Sequence, residues 1–152
     1  MTKDELFAGL TSKCDTDARA LADKIVRESR ETDAWYHELD SFAALLSHKK
    51  SLVRNRALHI LAANARWDSE NRFDSILPEF LTHITDEKPI TARQCVKALA
   101  QIGREIPRYI PLILESLRAA DLSRYQDTMR PLIEKDIMKT EALLIQALKD
   151  ME

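Results

Sequence analysis

Apolar residues recur at helical spacing along almost the whole chain, and this pattern predicts an all-helical protein. Leu6, Phe7 and Leu10 open a short first helix. Leu21, Ile25 and Val26 stripe a second, with Asp15 or Thr16 placed to cap it. A third is expected over about 34–47 behind Asp33, with Leu39, Phe42, Ala43 and Leu46 on one side. The fourth, over about 51–66, is marked by Val53, Ala57, Ile60 and Leu61. The fifth covers about 73–85, with Pro78 expected in its first turn, where a missing N–H costs least. Pro89 suits the first turn of the sixth, which carries Cys95, Ala98, Leu99 and Ile102 and is expected to stop near Gly103, a residue suited to a C-cap. Three more helices are expected over about 109–117, 122–135 and 139–149, with Pro131 kinking or restarting the eighth.

The pattern also repeats. Leu77-Pro78-Glu79-Phe80-Leu81-Thr82-His83-Ile84 returns 33 residues later as Ile110-Pro111-Leu112-Ile113-Leu114-Glu115-Ser116-Leu117. A shift of 38 carries Phe42 and Leu46 onto Phe80 and Ile84, and Ala57, Leu61 and Ala62 onto Cys95, Leu99 and Ala100. A shift of 34 carries Cys95, Ala98 and Leu99 onto Met129, Leu132 and Ile133. Helices three with four, five with six and seven with eight therefore read as three pairs in an array, each leaning on its neighbours to bury its apolar face. Leu61 and Leu99 are expected to be equivalent core positions.

Val53-Arg54 followed by Ala57, Ile60 and Leu61, and Ala98-Leu99-Ala100-Gln101-Ile102-Gly103 leading to Ile110-Pro111-Leu112-Ile113-Leu114, resemble HEAT repeats over about residues 34–135. The resemblance implies one domain over 1–152, a right-handed α–α superhelix of the HEAT/armadillo kind. N-terminal helices fill 1–33, about three helix pairs follow, and a capping helix closes 136–152. Its motifs are packing residues, which speak to fold rather than function.

Composition narrows the chemistry. No apolar run approaches the roughly 18 residues of a membrane span. The start, Met1-Thr2-Lys3-Asp4-Glu5-Leu6, is unlike an export signal, and Cys14 and Cys95 have no CxxC partner, so reduced thiols in the cytoplasm are expected. With only Gly9 and Gly103, phosphate-cradling loops are not available. His37-Glu38 begins like a zinc-protease helix but lacks the second histidine, and no nucleophile elbow is present. Carboxylate pairs such as Asp15 with Asp17, Asp86 with Glu87 and Glu134 with Asp136 read as helix-start or solvated acids. Trp35, Tyr36, Trp67 and Phe73 read as packing between units. No catalytic residue, metal or cofactor is expected.

Charge is the pattern that stands out. Residues 41–67 contain no acid and carry +5 from Lys49, Lys50, Arg54, Arg56 and Arg66; residues 88–104 contain none and carry +4 from Lys88, Arg93, Lys97 and Arg104. The whole chain is at −2, so the remaining 108 residues carry −11. Both stretches are second helices of adjacent units, which in HEAT-like arrays line the concave side. A concave basic face of Arg54, Asn55, Arg56, His59, Arg93, Lys97, Gln101 and Arg104 is therefore expected, with Arg56, His59, Arg93 and Lys97 exposed together. The competing use of Arg54 or Arg56 is an ion pair with an acid of the preceding turn, for stacking alone.

The leading expectation is a non-enzymatic scaffold that presents this face to an acidic protein or peptide. The rival is a nucleic-acid binder similar to HEAT-like alkylpurine DNA glycosylases, which use tryptophan, aspartate and arginine around the extruded base. Here Trp67 and Asp68 are adjacent at a helix end, the first two second-helices carry no acid, and the pI of 6.1 is low for a binder of phosphate backbone. A structural subunit docking through its end faces is a third possibility.

Overall fold

A computed structural model describes residues 1–152 and is all-helical, with no strand. Eight α-helices run in chain order: α1 (Lys3–Leu10), α2 (Asp15–Glu31), α3 (Leu39–Ala44), α4 (Ser51–Asn64), α5 (Phe73–Thr82), α6 (Pro89–Glu105), α7 (Ile110–Arg118) and α8 (Arg130–Asp150). Short 3₁₀ turns flank α3 on both sides, follow α4 and α5, and precede α7. The long helices α2, α4, α6 and α8 pack in sequence, each on the next, while the short α1, α3 and α7 lie against them. One continuous cluster of 37 buried apolar residues runs from Leu6 to Leu144.

Local chemistry explains most boundaries. Thr2 caps α1 by accepting the Glu5 N–H at 3.1 Å, and Asp4 and Glu5 complement the dipole. Asp68 caps α5, taking the Arg72 N–H at 2.8 Å and the Phe73 N–H at 3.2 Å, and also accepts the Tyr36 hydroxyl at 2.6 Å. Leu61 and Leu99 are both fully buried, as the spacing predicts.

Several boundaries differ from the sequence-based expectation. The third helix is split: only Leu39–Ala44 is α-helical, with 3₁₀ turns Tyr36–Glu38 and Leu45–Ser47 on either side. Pro78 is the sixth residue of α5 rather than part of its first turn. The 33-residue repeat survives in burial: Leu77, Phe80 and Ile84 are buried, as are Ile110, Ile113 and Leu117. It fails in backbone, because the stretch equivalent to the start of α5 is wound as the 3₁₀ turn Pro107–Tyr109. Gly103 does not cap α6, which continues to Glu105; its role is close approach, since a Cβ there would sit 2.5 Å from Leu144 Cδ2 on α8.

The largest correction is at the C-terminus. The eighth and ninth helices are a single helix, Arg130–Asp150, in which Pro131 is the second residue, where it neither kinks nor breaks anything. The starts of α6 and α8, each marked by a proline, are 42 residues apart (Pro89 to Pro131), so the expected shift of 34 does not align the two helices. A shift of 42 carries Thr91, Cys95, Ala98 and Ile102 onto Ile133, Ile137, Thr140 and Leu144, all buried. The space between α7 and α8 is a connection, in which Tyr125 is buried and donates to the Asp86 carbonyl at 2.6 Å.

A candidate interaction face

The predicted site residues all belong to α4 and α6 of the α2–α4–α6–α8 row, and the structure divides them sharply. Arg54 is buried, not presented. Its Nε and Nη2 donate to Asp86 Oδ2 and Oδ1 at 3.0 and 2.8 Å, and Nη1 donates to the carbonyls of His48 and Lys49. Arg56 is buried too, donating to the Leu10 carbonyl at 3.0 Å and to Asp15 at 3.2 Å. Both leave the expected basic face for one reason: each guanidinium reaches backbone carbonyls and a sequence-distant carboxylate at once, and its donors are satisfied inside. Asp86, expected at a solvated helix start, is instead the buried partner.

Arg93 is half in and half out. It crosses from α6 to α8, its Nε donating to Asp136 at 2.7 Å, and that hydrogen bond raises its pKa against the opposing effect of burial. Asp136, also read as solvated, is buried. Lys97 and Arg104 are exposed, Gln101 is half-buried, and neither cation has a carboxylate partner. The face thus keeps Lys97, Gln101 and Arg104, lends Arg93 to a cross-link, and loses Arg54 and Arg56 to the interior.

A cleft of about 580 Å³ opens between α2, α4 and the start of α6, walled by Asn55, Arg56, His59 and Gln94 on one side and by Arg19, Asp23 and Arg30 of α2 on the other. It is not uniformly basic. Asp23 pairs with Arg19, and Asp15 takes both Arg56 and Lys50. His59 is pushed below its ordinary value by its packing, which outweighs a hydrogen bond to Gln94 and the charge of Asp23 acting in the other direction. It is therefore a neutral hydrogen-bonding group at pH 7 rather than a cation.

Further cations without an ion pair lie along the row. Lys135 and Lys139 of α8 are exposed and make no ion pair. Sequence reasoning left them out because splitting α8 put Lys139 in a separate cap. The signal that finds them is the match of Pro89-Ile90 to Pro131-Leu132, which brings Lys97 onto Lys139.

At Asp86, burial is the largest effect and pushes the carboxyl up, but hydrogen bonds from His83, Arg54 and the Lys88 N–H together hold it well below the usual carboxylate range. Cys95 is fully buried and burial raises its thiol, whereas Cys14 is exposed; both are free. No group of three His, Cys, Asp or Glu side chains is arranged to hold a metal ion, and no helix is long and apolar enough to cross a membrane. Trp35, Tyr36, Trp67 and Phe73 all pack between helices: Trp35 on Phe42, Trp67 donating to the Ser29 carbonyl at 2.7 Å. Comparison of the chain with protein-family models, with curated proteins and with solved structures gives no significant match.

Proposed function

We propose that this chain is a right-handed α-solenoid of the HEAT-repeat kind, acting as a non-enzymatic interaction module that holds an acidic segment of a partner protein against the α4–α6–α8 face. The observation that carries the reading is the sorting of charge. Arg54, Arg56 and Arg93 are matched by Asp86, Asp15 and Asp136, while Lys97 and Arg104 of α6 and Lys135 and Lys139 of α8, two helices packed on each other, are exposed and make no ion pair. Stacking alone accounts for the first group and leaves the second unexplained. The fold reading is supported by the 38- and 42-residue shifts, which superpose buried positions of α4 on α6 and of α6 on α8. The exposed free thiol of Cys14 fits a reducing compartment, and we place the protein in the cytoplasm.

The test is binding of fluorescent acidic peptides, with a duplex oligonucleotide in parallel, to the wild type and to the Lys97→Glu/Lys139→Glu variant. Peptide binding that disappears in the variant while thermal stability holds supports the reading. A duplex bound in preference to peptides, with a steep loss of affinity in salt, assigns the face to nucleic acid instead.

A further inference from the structure

The exposed face of the row has a second order in it, apolar as well as basic. Leu52, Ile90 and Leu132 sit in the first turns of α4, α6 and α8, and are 46%, 50% and 37% exposed. Seven residues after each comes His59, Lys97 or Lys139, also exposed. Two turns of helix separate each pair, so the side chains share one stripe of their helix about 10.5 Å apart. Because α4, α6 and α8 pack side by side, the six residues form two parallel rows, one aliphatic and one of imidazole and ammonium groups. Within a row, neighbours are separated by the helix packing distance of about 8–10 Å.

From these dimensions we infer that the face seats an acidic amphipathic α-helix lying across α4, α6 and α8. Its aliphatic edge contacts Leu52, Ile90 and Leu132, and its carboxylate edge faces Lys97 and Lys139. A helix of about 10–12 Å diameter spans both rows at once, and its i and i+7 side chains recur about every 10.5 Å, close to the pitch of the rows. A β-strand presents same-side residues about every 6.6–6.8 Å and falls out of register by the second contact. Charge chooses the partner: the two lysines make no ion pair, whereas Arg93, one turn before Lys97 on α6, is already matched by Asp136. The inference rests on the acidic-partner reading above and adds the conformation and residue pattern of the segment.

Selection of 20-residue peptides from a displayed random library on the whole protein tests it. The expected winners exclude proline, carry aliphatic residues recurring every seven, and place Asp or Glu along the adjoining edge. For a winning peptide, Ile90→Asp and Lys97→Glu should each weaken binding at least about tenfold, the factor expected from losing one central contact. Lys24→Glu, on the far side of α2, should leave it unchanged. Acidic winners that tolerate proline or lack aliphatic periodicity overturn the helix inference and leave the acidic-partner reading standing. Winners that are not acidic, or whose binding is indifferent to Lys97→Glu and Ile90→Asp, overturn both, as does a duplex oligonucleotide that displaces the selected peptides.

Discussion

Removing the Asp86 carboxylate should be among the most damaging single changes available on this chain. Asp86 and Arg54 are each about 6% exposed. The carboxylate receives two guanidinium N–H groups, His83 Nδ1 at 2.7 Å and the Lys88 N–H at 2.9 Å. Asp86→Ala leaves Arg54 charged in the interior with only the His48 and Lys49 carbonyls for company. Breaking a buried pair in this way costs about 3–5 kcal/mol. For a chain of this length that is a fall in Tm of about 6–20 °C. Arg54→Met/Asp86→Ala removes both charges and should recover much of the loss, because the penalty is mainly the stranded charge. Urea unfolding of the two single variants and the double variant gives the cycle. The pH dependence follows from the lowered carboxyl: its contribution is full above the ordinary value of 3.8 and is lost as pH falls through the folded-state value. The gap between wild type and Asp86→Ala should therefore close in acid. A cost below about 1 kcal/mol at pH 7 would refute this account, since that is the range of exposed pairs.

Leu99→Ala and Leu61→Ala, at fully buried positions, should each cost about 2–5 kcal/mol in denaturant unfolding. Gly103→Val places a branched side chain against Leu144, Ile110 and Ile113 and should destabilise by about 1–3 kcal/mol. Lys97→Glu/Lys139→Glu should leave stability within about 1 kcal/mol, whereas Arg93→Glu, which sets a second carboxylate against buried Asp136, should exceed that in the same melts. His48 and His59 are both lowered chiefly by the neighbours that displace water from their rings, so the unfolded chain takes up their protons first and stability should fall as pH drops below about 6.5. Replacing both with glutamine should flatten that slope.

What the sequence disclosed was local. Helical period, the burial of Phe42, Phe80, Leu61 and Leu99, and Pro89 at a helix start are each set by a pattern within a turn or two of the residue itself, and the structure agrees with each. What it hid was decided by distant partners. Arg54 and Asp86 are 32 residues apart, Arg56 and Asp15 41, Arg93 and Asp136 43, so no local pattern marks those arginines as spent. Pro131 misled for a related reason: a proline reads alike as a breaker or as a first-turn residue until the preceding segment is known to be irregular. That segment is a connection because Tyr125 and Arg124 turn back to bond the carbonyls of Asp86 and Thr85. The misplaced helix start cost the site Lys139, which shares a stripe of α8 with Leu132.

The two tryptophans give the molecule a lopsided spectroscopy. Trp35 packs on Phe42 just before α3, and Trp67 closes α4 by bonding back to α2, so both indoles report on the first half of the chain. Helices α6 to α8 contain neither, though they supply most of the helical ellipticity beyond that half. Indole emission thus reads one end of the row of helices, whereas far-ultraviolet ellipticity reads the whole of it. If the shared core and the Asp86 corner bind those ends into a single cooperative unit, the two signals will change at one denaturant concentration. If fluorescence leads or lags, the row comes apart from an end, and the order of the two midpoints names which end goes first.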